Sequence, residues 1–274
     1  MTTTTNMRLP RVERNTMSTT THQTPGPIEV DIRVQAGRVE IETADTAETT
    51  VEIEPLDGGD AARAAVESAR QELRPVGDGY RLVIEVPRRP RLFGSNEEVL
   101  VRIHCPHGTA VVAKTASADL ELRGRAGAFS TKTASGDVTV EAAGGDVDIK
   151  TASGDVAIGA VAGRANVNTM SGDVVVDEAT ASVSAHTMSG DLRVERLATG
   201  TAEMRTMSGD IVATVRPGAT LWIDASSMSG EVSSDLPVSD SAPSGGDTDI
   251  ELRASSMSGD IDLRRAEEAS AAGA

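Results

Sequence analysis

Along the middle of the chain, apolar residues flank a polar one in triplets that return every nine residues: Val138 and Val140, Val147 and Ile149, Val156 and Ile158, Ala165 and Val167, Val174 and Val176, Val183 and Ala185, Leu192 and Val194. Side chains two apart share one face of a strand, so each triplet predicts a short strand with one buried face. A longer repeat overlies these triplets. The phrase Lys-Thr-Ala-Ser-Ala-Asp at 114 returns as Lys-Thr-Ala-Ser-Gly-Asp at 132 and 150, then with Asn-Thr-Met, His-Thr-Met and Arg-Thr-Met at 168, 186 and 205. Its serines Ser117, Ser135, Ser153, Ser171 and Ser189 stand 18 residues apart. A fixed period this short marks a chain that stacks one coil on the next. A three-sided hexapeptide helix also spends 18 residues per coil, but its inward side chain recurs every six residues, and stepping from Val138 meets Gly144 and Lys150. The prediction is therefore an all-β fold: a parallel β-solenoid of about 18 residues per coil, with two sheets and strands stacked about 4.8 Å apart.

The two corners of each coil read differently. Ser-Gly-Asp combines a residue free to adopt positive φ with two side chains able to bond nearby backbone, as a tight turn requires. The expected turn ladder is Ser135, Gly136, Asp137; Ser153, Gly154, Asp155; Ser171, Gly172, Asp173; Ser189, Gly190, Asp191; and Ser208, Gly209, Asp210. The opposite corner varies, from Glu-Ala-Ala-Gly-Gly-Asp at 141 to Gly-Ala-Val-Ala-Gly-Arg at 159 and Asp-Glu-Ala-Thr-Ala-Ser at 177. After Asp210 the serines Ser208, Ser229 and Ser258 spread to 21 and 29 residues apart, which places insertions in loops, chiefly the turn-rich segment Asp235 to Asp247.

The expected organisation has four parts. Residues 1–26, Thr-rich and polar, form a disordered tail whose start is Met1, Met7 or Met17. Residues 27–104 form a β-rich cap with three alternating strands from Ile28 and a helix over about 60–74, because Ala62, Val66, Ala69 and Leu73 share a helical face and Asp60 offers an N-cap. Residues 105–264 are the solenoid, and 265–274 a disordered tail.

Charge bounds the partners: 26 basic against 42 acidic residues give a formal charge of -16, which repels phosphate backbones, so no nucleic-acid partner is expected. No apolar run reaches the roughly 20 residues of a membrane helix, and the start shows no apolar signal core, so no membrane insertion and a cytoplasmic address are expected. Cys105 is a lone cysteine, with no partner for an internal disulfide. One Trp, one Tyr and two Phe leave few platforms for stacking sugars or bases.

The acidic ladder Asp119, Asp137, Asp155, Asp173, Asp191, Asp210, Glu231 and Asp260 stacks like charges, a repulsion of about 1 kcal/mol per neighbour in water. Each carboxylate is expected to accept backbone amides in its turn, helped by the cationic ladder Lys114, Lys132, Lys150 and Arg205. Calcium on Asp137, Asp155, Asp173, Asp191 and Asp210 is the alternative, weakened because calcium β-rolls place Gly and Asp at both corners. Met170, Met188, Met207, Met228 and Met257 share one repeat position and are expected to fill a corner of the core, with a partner-binding stripe as the sharper reading. His104-Cys105-Pro106-His107 matches no common zinc spacing and reads as a strand end entering a turn. No Gly-x-Ser-x-Gly elbow is present, and a Ser-Asp pair copied in every coil is a building unit. No catalytic residue, cofactor or metal is assigned.

The Ser-Gly-Asp-Val repeats, the opening Pro27-Ile28-Glu29-Val30 strand, the helix before Tyr80 and the Val101 to Pro106 strand with its following turn resemble the bacterial putative-adhesin family of β-strand-repeat domains of unknown function, over residues 27 to 264. That resemblance implies a β-solenoid without established catalytic residues. The expected function is a non-enzymatic, adhesin-like scaffold or protein-interaction module that binds a protein partner or itself. The alternative is end-to-end stacking, with the last coil around Ile261 and Leu263 exposed to dock on another copy. A polysaccharide-acting enzyme on a β-helix is the third class.

Overall fold

The computed structural model describes residues 17–57, 59–77, 79–87, 97–236 and 248–266. Strands stack in two parallel columns that share coils. In the first column Phe129–Lys132, Val147–Lys150, Ala165–Asn168, Val183–His186 and Gly200–Ser208 pair in register with their equivalents. The second column holds Val138–Ala143, Val156–Val161, Val174–Ala179, Leu192–Leu197 and Ile211–Val215 likewise, with a shift of register between Val194 and Leu197 against Ile211–Val215. Two long strands, Glu29–Ala44 and Ala110–Ala126, each run through both columns. The parallel β-solenoid read from the sequence is what the chain forms.

The core is one continuous aliphatic cluster between the columns. Both flanking residues of each of the seven triplets are at most 1% exposed, while the residue between them faces outward. A third inward position joins them at Ala143, Val161, Ala179, Leu197 and Val215, three residues past the triplet in the first four coils. Burying a Val or Leu side chain contributes about 1.5–3 kcal/mol, and each coil repeats that gain without deepening the core.

Both ends depart from sequence order. At the C-terminal end Ile250–Ser258 pairs with Gly200–Ser208 on one side and Leu221–Ser229 on the other. Ile261–Arg265 likewise lies between Ile211–Val215 and Val232–Ser234. The last coil in sequence is thus the penultimate one in space. Ile261 and Leu263 are fully buried, which corrects the expectation that they form the exposed end. At the other end Glu29–Ala44 sits between Ala110–Ala126 and the outer strands Gly79–Glu85 and Val99–Pro106. The solenoid therefore begins at 29, inside the segment read as a cap.

That N-terminal end is closed by antiparallel strands. Glu48–Pro55 covers Val99–Pro106, Ser18–Gln23 covers Glu48–Pro55, and Arg70–Val76 covers Gly79–Glu85. Ser18–Gln23 corrects the reading of residues 17–26 as a disordered tail: its alternate side chains are half-buried, and Thr24 behind it is buried, its hydroxyl 2.8 Å from that of Thr49. Residues 1–16 and 267–274, also read as tails, and most of the Asp235 to Asp247 segment lie outside the described residues.

The helix is shorter than expected, spanning Asp60–Ser68. Its N-cap is Gly59 rather than Asp60, which lies in the first turn; Gly59 donates its amide to Asp57 Oδ1 at 3.1 Å. Ala69 turns extended at ψ 141, and Leu73 belongs to the following strand, opposite Leu82. Leu73 still packs against the core, so the helical spacing of Ala69 and Leu73 reflected a shared buried side, reached by a strand.

Candidate interaction surface

The constant corner is a hydrogen-bonded column. Asp137, Asp155, Asp173, Asp191 and Asp210 each donate a backbone amide to Oδ1 of the ladder aspartate one coil before, at 3.2, 2.9, 2.9, 2.8 and 2.8 Å. The column continues in spatial order: Asp260 donates to Asp210 at 2.7 Å and Glu231 to Asp260 at 2.8 Å. At its start Arg38, opposite Asp119, places a guanidinium nitrogen 3.8 Å from that carboxylate. Each aspartate of the column thus meets a backbone donor directed at it, the arrangement that offsets stacked like charges, and Glu231 ends the column as a donor only. Lys114, Lys132 and Lys150 form no ion pair with the ladder among the described residues, and Arg205 pairs with Glu203 instead.

Glycine is required here for two reasons. Gly136, Gly154, Gly172, Gly190, Gly209 and Gly259 take φ from 125 to 152°, a region that side chains disfavour. In addition, a Cβ at Gly154, Gly172, Gly190 or Gly209 would lie 2.1–2.3 Å from the carbonyl oxygen of the glycine below. Serine is bonded through its backbone: Ser153, Ser171 and Ser189 donate amides to Ala134, Ala152 and Met170. A further column escaped sequence reading. Thr133, Thr151, Thr169 and Thr187 are buried, and each hydroxyl donates to the carbonyl of the serine two residues on, at 2.8–3.2 Å. Its signal was the unvarying Thr of the phrase.

The methionines do not fill the core. Met170, Met188, Met207, Met257 and Met228 are 57, 47, 45, 48 and 81% exposed, which corrects the packing expectation. They stand one residue before the bonded serines, where the chain has already turned outward.

The cluster at 104–107 is dispersed. His104 Nε2 lies 3.1 Å from Glu42 on the outer face, while His107 Nδ1 shares a hydrogen bond with Thr43 Oγ1 at 2.9 Å. Cys105 points inward, fully buried, and burial pushes its thiol pKa up to about 11. A shallow depression lined by Glu40, Glu42, Arg102, His104, Glu121 and Arg123 is internally neutralised, Arg102 bridging Glu40 at 3.1 Å and Glu54 at 2.6 Å. Among the described residues no group of three or more His, Cys, Asp or Glu is placed to hold a metal, and no helix is long and apolar enough to cross a membrane.

The two ends offer unequal surfaces. Leu221 and Ile223 of the outermost coil are only partly covered, whereas Ile250 and Leu252, their neighbours one coil in, are fully buried. Val232 is 43% exposed against 0% for its partner Ile261. A strand edge unpaired among the described residues, beside incompletely covered core residues, is a surface for strand addition.

Repetition, parallel register and a bonded corner define the class: a repeat β-solenoid whose recurring phrase holds its turns. The chain belongs to the Toastrack DUF4097 family, a domain of unknown function, which matches residues 27–264. Those are the residues over which the sequence resemblance was drawn. Among solved structures the chain is similar to a putative lipid binding protein from Parabacteroides distasonis, at 12% identity over 93% of this chain and 98% of that chain, TM-score 0.49. It is also similar to a putative adhesin from Bacteroides fragilis, at 14% identity over 91% and 97%, TM-score 0.44. No curated protein matches the chain.

Proposed function

We propose that the protein is a non-enzymatic, adhesin-like scaffold that binds an extended segment of a partner protein along the free edge of Leu221–Ser229 and Val232–Ser234. The observation that carries this reading is the inequality of the ends: the outermost strand Ser18–Gln23 at one is wholly polar, while at the other the strand edges run, among the described residues, beside the incompletely covered apolar residues Leu221, Ile223 and Val232. A partner strand there would continue the ladder and cover those side chains, main-chain bonds supplying affinity and the side-chain contacts specificity. The repeated Ser-Asp pairs are engaged in holding the corners, which supports a structural use over an enzymatic one. The test compares the full chain with a Val232→Pro variant, altered at an exposed position whose amide faces the free edge, in pull-downs from native lysate. A partner held by the wild type and lost by the variant supports the reading; equal retention overturns it.

A second reading, self-association, rests on the same edge. Two copies joining through the same outermost coil use that edge on both sides and form a twofold pair, not an open filament. Light scattering at rising concentration separates the cases: a plateau at twice the monomer mass, abolished by the variant, supports the pair. Unlimited growth contradicts it.

A further inference from the structure

Methionine is the member of the repeated phrase whose retention the fold does not explain. Glycine is fixed by the approach of the coil below, aspartate by the amide it accepts and threonine by the carbonyl it bonds. Met170, Met188, Met207, Met257 and Met228 face solvent. Elsewhere in the phrase these five coils have drifted: the residue two before each methionine is Asn168, His186, Arg205, Ser255 and Ser226. A docking surface that required only apolar bulk would be served by Val, Ile or Leu, which this chain uses throughout its core; Met204 is the sole methionine among the described buried residues. What the five positions share is the thioether.

Register turns them into a line. Ser171, Ser189 and Ser208 bridge in sequence, Ser208 pairs with Ser258 and Ser258 with Ser229, so the preceding methionines occupy five consecutive rungs in the order 170, 188, 207, 257, 228. At the strand spacing of about 4.8 Å the line is about 19 Å long. Metal–sulfur bonds of about 2.3 Å place sulfurs that share one ion roughly 4 Å apart, close to that spacing, and the unbranched side chain adjusts the remainder. Thioethers are soft, uncharged donors that select Cu(I) over calcium or magnesium. Three residues further on, Asp173, Asp191, Asp210, Asp260 and Glu231 line the same corner and give it a field attractive to cations.

We propose that the methionine stripe is a binding ladder for soft monovalent metal ions, Cu(I) or its analogue Ag(I), each held by the thioethers of two or three neighbouring rungs centred on Met188, Met207 and Met257. Cys105 is the rival soft ligand, but it is buried and protonated at neutral pH.

The experiment titrates the full chain with Ag(I) in chloride-free buffer, counts bound ions by native mass spectrometry, and measures Cu(I) affinity anaerobically against a chromophoric chelator. Saturable binding of at least one ion is expected, weakened tenfold or more in the triple variant Met188→Leu, Met207→Leu, Met257→Leu, with the circular dichroism spectrum and Tm unchanged because the positions are exposed. Cys105→Ser is expected to bind like the wild type, and Zn(II) and Ca(II) not to compete. Binding no tighter than to free methionine, equal affinity in the triple variant, loss of binding in Cys105→Ser, or displacement by Zn(II) would each overturn the proposal.

Discussion

The constant and variable corners solve one problem in two ways. Both must reverse a chain whose neighbours lie a single strand spacing away, and both leave backbone amides to be satisfied between coils. The Ser-Gly-Asp corner answers with one phrase, complete in the coils of Gly136, Gly154, Gly172, Gly190, Gly209 and Gly259. At the other corner the answer changes: Asp146 accepts the Arg164 amide at 2.8 Å, Ser182 Oγ accepts that of Thr201 at 3.1 Å, Thr199 donates its hydroxyl to Thr180 at 2.7 Å, and Arg196 reaches Glu178 at 3.2 Å. A fixed phrase therefore marks the place where backbone geometry admits one residue set. Drift marks the place where several sets satisfy the same amides.

The largest effect that separates the corners is expected from glycine. Gly172→Ala forces a Cβ to 2.2 Å from the Gly154 carbonyl oxygen at φ 135, and should cost about 3 kcal/mol or more in chemical denaturation. At the variable corner Gly144→Ala meets its nearest atom at an ordinary 3.6 Å and should leave stability unchanged within about 0.5 kcal/mol. Equal losses at the two sites would erase the distinction.

Next in size are the bonded side chains. Asp173→Ala removes the acceptor for the Asp191 amide and should cost about 1 kcal/mol, with Asp173→Asn, which keeps an acceptor oxygen, recovering most of it. If both substitutions cost the same, charge and not the amide bond is what the column requires. Threonine provides a paired test within the core-facing set. Thr169→Val deletes a hydroxyl bonded to the Ser171 carbonyl and should destabilise by about 1 kcal/mol; Thr131→Val replaces a buried hydroxyl that has no partner and should stabilise by a similar amount. Opposite signs, read from Tm, are the expected outcome. The smallest expected effect is that of a chelator: with backbone amides meeting the aspartates, Tm with and without EDTA should agree. A drop on chelation would restore calcium to the column.

Much of this architecture is legible in the residues themselves. The nine-residue return of Val138 to Val194 fixes rung and inward face, since strand periodicity leaves no other side for those triplets. Gly172 and Asp173 announce a turn. Three features stayed hidden for identifiable reasons. The burial of Met170 cannot be read from its type, because an apolar residue at a corner satisfies either side of the wall. The extent of the helix was obscured because Ala69 and Leu73 meet helical spacing while lying on a strand. The stacking order at the ends was invisible because every coil presents nearly the same edge, so pattern describes what a coil is without saying which coil it rests on.

That order has a consequence for how the molecule is made and shortened. Coil 221–234 leaves the ribosome before coil 250–265, yet its support is the later segment. Vectorial synthesis cannot lay the rungs down one after another; the penultimate place must be held open, about 10 Å wide, until the final stretch of chain arrives to fill it. Truncation behind residue 236 would therefore remove an interior course instead of trimming an end, and would strand the outermost coil beyond reach of the rest.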